Sequence, residues 1–155
     1  MKRLFLMRHG EASFSADLDF DRTLTPKGRS KVSQVAARLN QLAPEIGKVY
    51  CSPAQRTKET SGIVAERVLF KNHEFVRSIY DGDLQDLMDI LENSSSEVNE
   101  VMIIGHNPLI SMLAANLSDG DYLNMQPGDL MYLEFPLDSW KLITFGSGIL
   151  CEVIS

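Results

Sequence analysis

Short apolar runs alternate with helix-like patterns along this 155-residue chain. Residues 3–7, 48–51 and 100–105 are nearly unbroken apolar runs, typical of strands that are buried on both faces. Between the first two runs, Thr25-Pro26 has the cap and the proline that begin a helix, and apolar residues recur at helical spacing over 32–42. This alternation predicts an α/β fold, a three-layer sandwich with a mainly parallel central sheet flanked by helices.

The second half of the chain continues the alternation and then changes period. Further helices are predicted from Ser52-Pro53 to about residue 69, over 84–91, and after Asn107-Pro108. Two apolar segments, 130–135 and 140–145, predict a β-hairpin or edge pair, whereas residues 148–155 remain unassigned. Because a chain of this length has little room for a second core, we expect one domain over residues 1–155.

The amino-acid composition excludes some classes of binding partner. The chain has 15 Lys and Arg residues against 21 Asp and Glu residues, and its net charge of −6 opposes binding to nucleic acid or to anionic lipid. Cys51 and Cys151 lack the paired spacings of a zinc site or a disulfide framework. The N-terminal apolar run ends at Arg8, and no later run is long enough to span a bilayer. We therefore expect reduced thiols, no membrane partner and a cytoplasmic location.

The predicted strands end in residues that suit an anion. Ligands of open α/β sheets lie at the carboxyl ends of the strands, and three such ends carry Arg8-His9, the segment 52–56 with Arg56, and Gly105-His106. Guanidinium groups bind phosphate oxygens bidentately, and the N–H groups of a helix start add positive partial charge. These residue types predict a phosphoryl-binding site.

The same residues support covalent chemistry. The chain has no Gly-rich Walker sequence and no evident acidic cage for magnesium, so nucleotide hydrolysis is disfavoured and arginine and histidine would have to neutralise the phosphoryl charge. A histidine is mostly neutral at cytoplasmic pH and can then attack phosphorus. We therefore interpret His9 as a nucleophile that forms a phosphohistidine intermediate, with the arginines stabilising the transferring oxygens.

Four ordered motifs resemble those of the histidine phosphatase superfamily, also called phosphoglycerate mutase-like. Its Arg-His-Gly motif is matched by Arg8, His9 and Gly10, and its Leu-Thr-x-x-Gly motif by Leu24, Thr25 and Gly28. Its Ser-Pro-x-x-Arg-x-x-x-Thr motif is matched by Ser52, Pro53, Arg56 and Thr60. Its second histidine is matched by His106. The resemblance covers most of the chain and implies the fold of that family. It also implies His9 as nucleophile, a phosphate pocket of Arg8, Arg56 and His106, and no required metal or other cofactor.

One branch of the superfamily is the most similar. The short chain and the segment 22–25 look most like the SixA-type phosphohistidine phosphatases, and residues 61–100 leave no room for the large insertion of longer members. This similarity implies a phosphohistidine-bearing signalling protein as partner and inorganic phosphate as product. Arg22 and Asn107 are then expected to contact the substrate.

The sequence departs from the mutase pattern at the position of the general acid. Aligning the Glu-Arg-x-Tyr-Gly block of mutases with residues 77–81 puts Arg77 at the glutamate position. An imidazole leaving group needs less help from an acid than an alcohol does, so the missing glutamate favours a phosphohistidine substrate. Asp81 is the candidate surrogate acid, and Glu11 and Asp21 are alternatives.

Two other functions remain open at this point. A mutase or small-molecule phosphoester phosphatase would share His9 but needs a carboxylate on the leaving-group side, and a non-catalytic phosphate-binding module would tolerate loss of His9. Asp17, Asp19 and Asp21 alternate as in a calcium loop. However, arginine and glycine stand where that loop requires glycine and glutamate, so we do not expect calcium binding.

Overall fold

The computed structural model describes residues 1–155 and shows one mixed sheet with helices on both faces. The strands are β1 (Lys2–Arg8), β2 (Glu45–Ile46), β3 (Lys48–Cys51), β4 (Leu69–Phe70), β5 (His73–Phe75), β6 (Glu100–Gly105), β7 (Leu130–Phe135) and β8 (Ile149–Ile154). The helices are α1 (Pro26–Leu42), α2 (Gln55–Ala65), α3 (Ser78–Asp81), α4 (Leu84–Glu92) and α5 (Leu109–Ser118). None of these helices is both long and apolar enough to cross a membrane.

The main sheet has six strands in the order β5-β3-β6-β1-β7-β8, and β2 pairs with β4 separately. β1, β3, β5 and β6 are parallel to one another, whereas β7 is antiparallel to β1 and β8 is antiparallel to β7. The registers pair Arg8 with Gly105 and Cys51 with Ile104. Three neighbouring parallel strands therefore end at one level, where the candidate residues follow them.

Two apolar layers confirm the predicted three-layer sandwich. One core contains Val32, Val35 and Leu39 of α1 together with buried residues of α2, and it covers one face of the sheet. The other core combines buried residues of α4 and α5 on the opposite face. The central strands are buried on both sides because each face is covered, which explains their unbroken apolar sequences.

The start of α1 confirms the cap that the sequence predicts. The Thr25 side chain accepts a hydrogen bond from the Gly28 N–H at 3.0 Å, and Pro26 occupies the first helical position. The apolar stripe of α1 is buried against the sheet, with Leu39 fully inaccessible. Burial of one such side chain contributes about 1.5–3 kcal/mol, so the stripe holds α1 and its N-terminal loop against the sheet.

The helix predicted from Ser52-Pro53 begins later and ends earlier than expected. α2 begins at Gln55, and Ser52 does not cap it but receives the Ala54 N–H at 3.2 Å in the preceding turn. The helix ends at Ala65, and after a turn the residues of β4 pair with β2, where the Leu69 N–H also donates to the carbonyl of Pro44 just before β2, at 3.0 Å.

The hairpin predicted from segments 130–135 and 140–145 is wrong. Residues Trp140–Leu142 form a 3-10 turn, and β8, from the segment left unassigned, pairs with β7. The Trp140 ring is fully buried, and its indole N–H donates to the Val98 carbonyl at 2.7 Å. Packing of this ring against a distant part of the chain outweighs the local strand pattern.

Candidate active site

The ends of β1, β3 and β6 bring the predicted residues into one cluster. The His9 N–H donates to the Gly105 carbonyl at 3.1 Å, and the Ser52 N–H donates to the Ile104 carbonyl at 3.1 Å. The residues that follow β1 and β3 are therefore both hydrogen-bonded to the end of β6. The rings of His9 and His106 lie 5.3 Å apart, centre to centre. We call Arg8, His9, Arg56 and His106 the floor of the site.

The His9 ring is held with one nitrogen free for attack. Nδ1 lies 2.7 Å from the Gly10 carbonyl oxygen, which only accepts hydrogen bonds, so Nδ1 carries the proton and Nε2 carries the lone pair. Burial lowers the pKa of His9 to about 4; the hydrogen bond to Gly10 opposes this shift, and the charges of Arg56, Arg8 and Arg22 add to it. His9 is therefore neutral at pH 7, as a nucleophile must be.

Two glycines allow the His9 loop to lie directly on α1. A Cβ atom on Gly10 would lie 2.8 Å from a Val32 methyl carbon, and one on Gly28 would lie 2.3 Å from the Glu11 carbonyl oxygen. The Gly10 N–H also donates to Thr60 Oγ1 at 3.1 Å, which ties the loop to α2. The glycines and the threonine of the sequence motifs thus serve the close packing that positions His9.

His106 has the opposite tautomer. Arg56 Nη2 lies 3.3 Å from His106 Nδ1, and because a guanidinium only donates, Nδ1 is the acceptor. The proton is then on Nε2, which donates to Ser52 Oγ at 2.8 Å. Burial, followed by the neighbouring His9 and Arg56, lowers the pKa of His106 to about 3. The Tyr80 ring packs edge-on against His106, with centres 5.5 Å apart.

Two guanidinium groups of the floor each keep an unused donor. Arg8 Nη1 donates to the Met125 carbonyl at 2.7 Å, and Arg56 Nη1 donates to the Asp19 carbonyl at 2.8 Å. In both residues Nε is buried and has no hydrogen-bond partner in the protein. A buried donor without a partner is costly, so these N–H groups indicate an anionic ligand.

Asp19 completes the site, although its place in the sequence resembles only a calcium loop. Its Oδ2 accepts hydrogen bonds from Arg56 Nη2 at 3.1 Å and from the Tyr80 hydroxyl at 2.9 Å, and its Oδ1 accepts from Arg22 Nη1 at 3.2 Å. Burial alone would raise the pKa of Asp19, but hydrogen bonds from Tyr80 and Arg22 and the charge of Arg56 lower it to about 2. We call Asp19, Arg22 and Tyr80 the rim of the site.

Arg22 lies on the rim, where it is fixed by the loop after β1. Its Nε donates to the Ser13 carbonyl at 2.9 Å, and its guanidinium lies over the Phe14 ring, 4.0 Å from the ring centre. Because one Nη group pairs with Asp19, Arg22 contributes positive charge to the mouth of the site. The structure thus places Arg22 at the mouth of the floor, where it shares Asp19 with Arg56.

The structure places Asn107 beside the floor but engages its amide within the protein. Asn107 Nδ2 donates to the Met125 carbonyl at 3.0 Å and to Asn124 Oδ1 at 2.9 Å. Its Oδ1 accepts from the Ser111 hydroxyl at 2.6 Å, and Ser111 Oγ in turn accepts from the Met125 N–H at 3.1 Å. This network holds the carbonyl that orients Arg8, so we interpret Asn107 as a positioning residue.

The three carboxylates considered as acids do not contact the histidines. The only side-chain hydrogen bond of Asp81 is from Arg77 Nε at 3.0 Å, at the surface. Glu11 accepts from the Thr25 hydroxyl at 2.7 Å, and Asp21 is exposed without a side-chain hydrogen bond. The aligned segment 77–81 instead contributes Tyr80 to the rim. Asp19 and Asp21 look alike in the sequence, and no local signal separates them.

Charge and donor type make the site suitable for an oxyanion. Three arginines meet one carboxylate, and both histidines are neutral, so the site keeps a net positive charge. No group of three or more His, Cys, Asp or Glu side chains could hold a metal ion. The arrangement can bind a phosphoryl group on two guanidinium groups and present a neutral imidazole nitrogen to it.

The chain is similar to several known proteins. The family model described as histidine phosphatase superfamily (branch 1) matches residues 4–88. The phosphohistidine phosphatase SixA of Escherichia coli is 31% identical over 122 residues, which cover 77% of this chain and 76% of that protein. A structure of the protein histidine phosphatase SixA complexed with tungstate has 26% identity and a TM-score of 0.86, covering 99% of this chain and 96% of the other. A putative SixA from Nakamurella multipartitia has 23% identity and a TM-score of 0.87, covering 99% and 95%, and supports the fold.

Proposed function

This chain belongs to the histidine phosphatase superfamily, and from that premise we propose that it removes phosphate from phosphohistidine in signalling proteins through a covalent intermediate on His9. One observation carries the proposal. The Nδ1 of His9 is fixed by the Gly10 carbonyl at 2.7 Å, which leaves Nε2 as the free lone pair beside the two guanidinium groups that have unused Nε donors.

The first step transfers the phosphoryl group between two imidazoles. His9 Nε2 attacks phosphorus, the P–N bond to the substrate ring breaks, and that ring keeps the electron pair. Arg8 and Arg56 hold the phosphoryl oxygens, whose charge spreads over all three oxygens in the transition state. Because the bond that breaks and the bond that forms are both P–N bonds to imidazole, the transfer is close to balanced in energy.

The second step returns the floor to its starting state. Water attacks the phosphorus of the His9 intermediate, the P–Nε2 bond breaks, and inorganic phosphate leaves with the oxygen of that water. The excess proton goes to phosphate or solvent. His106 is neutral, and the hydrogen bond from its Nε2–H to Ser52 Oγ at 2.8 Å keeps its ring oriented during both steps.

The absence of a competent acid supports a nitrogen leaving group. The carboxylate closest to the floor is Asp19, and its pKa of about 2 leaves it ionised at neutral pH, where it has no proton to donate. An alcohol leaves poorly without a proton, whereas an imidazole has a pKa near neutrality and is readily protonated by solvent. The rim therefore favours phosphohistidine over a sugar or glycerate ester.

The partner and the location are part of the same proposal. The E. coli relative is a phosphohistidine phosphatase, and a related structure binds tungstate, an oxyanion. The Asp19 side chain is 54% exposed, so the rim is open to a side chain presented by another protein. Cys51 and Cys151 are both free thiols, which supports a reducing compartment such as the cytoplasm.

The proposal is tested by measuring phosphate release from a phosphohistidine protein, a phosphoserine peptide and 3-phosphoglycerate. We expect preference for phosphohistidine, and a phosphorylated enzyme that is trapped by rapid denaturation. His9→Ala should lose at least about 10³-fold in turnover and form no phosphoenzyme. His73→Ala is the matched control, because His73 is exposed and lies on β5. Unchanged turnover in His9→Ala would disprove the mechanism, and preference for an ester would disprove the substrate.

A further inference from the structure

Resting on the proposed function, we propose that Asp19 determines leaving-group specificity by accepting a hydrogen bond from the distal ring N–H of the substrate phosphohistidine. The distal nitrogen is the ring nitrogen that does not carry the phosphoryl group. In this assignment Asp19 contacts the substrate, and it selects a protonated, positively charged imidazole over an oxygen leaving group.

The position of Asp19 follows from the guanidinium that it shares with the phosphoryl group. Asp19 accepts one hydrogen bond from each Nη group of Arg56, through its backbone carbonyl at 2.8 Å and its Oδ2 at 3.1 Å, and Nη2 also lies 3.3 Å from His106 Nδ1. The Nε–H of Arg56 and the second N–H of its Nη1 have no partner in the protein and are left for a phosphoryl oxygen. A guanidinium is a small planar group, so a phosphoryl group on one edge and a carboxylate on the next edge are neighbours.

The geometry of in-line attack places the leaving group at the rim. Attack on phosphorus is in line, so the leaving nitrogen departs on the side opposite His9 Nε2. His9 is 7% exposed, whereas the Asp19 side chain is 54% exposed. The leaving group therefore lies on the solvent side of the phosphoryl group, where Asp19 and Tyr80 border the mouth.

Asp19 retains capacity for another hydrogen bond. A carboxylate offers about four acceptor positions. Its side-chain oxygens receive Arg56 and Tyr80 on Oδ2 but Arg22 alone on Oδ1. Oδ1 can thus accept one further donor without displacing any of its partners. Because these partners also hold Asp19 in place, that acceptor is already oriented before substrate binds.

The chemistry explains why this contact favours nitrogen. A substrate ring protonated on its distal nitrogen carries a positive charge, and when the P–N bond breaks it takes the electron pair and leaves as neutral imidazole. No proton moves in that step. The anionic Asp19 stabilises the protonated ring, which is the better leaving group. For an alkyl ester the departing oxygen needs a proton that an ionised carboxylate does not provide, and an aryl ester that leaves as the anion gains nothing from this contact.

The experiment compares Asp19→Asn with wild type on two probes, phosphoimidazole and p-nitrophenyl phosphate. Since a hydrogen bond to a charged group is worth roughly 10- to 100-fold, we expect kcat/KM for phosphoimidazole to fall by that factor more than kcat/KM for the ester. Asp21→Asn is the matched control, because Asp21 is exposed and has no side-chain partner. Its ratio of the two rates should equal that of wild type.

A third probe isolates the hydrogen bond. Phosphoimidazolium methylated on the distal nitrogen keeps the charge but lacks the N–H, so wild type should hydrolyse it less efficiently than phosphoimidazole, and Asp19→Asn should lose that difference. Equal losses on both original probes in Asp19→Asn would overturn the inference and leave Asp19 as a positioning residue for Arg56. A wild-type enzyme that hydrolyses the ester but not phosphoimidazole would instead overturn the proposed function.

Discussion

The floor and the rim of this site are built in different ways. The floor residues follow the ends of adjacent strands or lie in the first turn of α2, and His9 and Arg56 are less than a tenth exposed. The rim residues come from the loop after β1 and from the short helix α3, and Asp19 is largely open to solvent. Sheet register therefore determines the position of the floor, whereas loop contacts determine that of the rim.

This difference separates chemistry from selectivity. The floor contains the nucleophile and the guanidinium donors for the phosphoryl group, which every substrate shares. The rim contains a carboxylate and a hydroxyl beside the mouth, where substrates differ in their leaving groups. We expect changes in the floor to reduce turnover of all substrates and changes in the rim to alter the ratio between substrates.

The largest effect is expected from Arg56→Ala, which removes the guanidinium that bonds to both His106 of the floor and Asp19 of the rim. Loss of a buried donor to the transferring oxygens should lower kcat/KM by about 10²-fold or more for every phosphorylated substrate. The variant also leaves Asp19 without its Arg56 partner. Steady-state kinetics on an ester and on phosphoimidazole provide the measurement. Arg29→Ala is the control, because Arg29 pairs with Glu59 away from the floor.

A smaller effect is expected from the support of the floor. Ser111→Ala removes the hydroxyl that joins Asn107 to the Met125 N–H, so the carbonyl that orients Arg8 is held less firmly. We expect KM to rise roughly threefold to tenfold, in proportion for all substrates, with a loss of about 1–3 kcal/mol in the free energy of unfolding. Ser118→Ala on the same helix is the control, since Ser118 bonds only within α5. A change in substrate preference would contradict this assignment.

The smallest effect on activity is expected from acid. The pKa values of about 4 for His9, 3 for His106 and 2 for Asp19 leave the charges of both regions unchanged between pH 7 and pH 5. kcat at saturating substrate should therefore change little over this range, whereas an imidazole with an ordinary pKa would lose roughly 20-fold of its neutral form. A decline in kcat with a midpoint near pH 6.5 would contradict neutral floor histidines.

Stability should fall in acid over the range in which activity changes little. Between pH 6.5 and pH 4 the unfolded chain protonates its histidines, but the folded chain leaves His9 and His106 neutral. The unfolded state then binds more protons, so the free energy of unfolding falls as the pH falls through this window. Urea denaturation at pH 7, 6 and 5 measures this trend, and a flat dependence would argue against buried neutral histidines.

The sequence alone was sufficient to predict the central strands of the sheet and the residues of the floor. The apolar runs of β1, β3 and β6 are local patterns, and the capped start of α1 requires only neighbouring residues. Because parallel strands end at one edge of a sheet, the residues that follow them were predicted to converge, and His9 and His106 do so at 5.3 Å.

The features that the sequence did not predict have long-range causes. The segment 140–145 has a strand-like sequence, yet Trp140 is buried with its indole N–H on the Val98 carbonyl, 42 residues away along the chain. Asn107 follows the motif histidine, but its amide is occupied by a loop 17 and 18 residues later. Neither contact has a local pattern, so periodicity and capping rules do not detect it.

The amino-acid sequence thus determined which strands form, which side chains follow them and which residue types can take a phosphoryl group. Only the tertiary structure decided which carboxylate meets the arginines. Asp19 and Asp21 occupy equivalent places in a short alternation, but Asp19 alone reaches Arg56, 37 residues away, and Tyr80, 61 residues away. The physical reason is that an ion pair depends on distance in space, and the packing of the β1–α1 loop against α2 and α3 sets that distance.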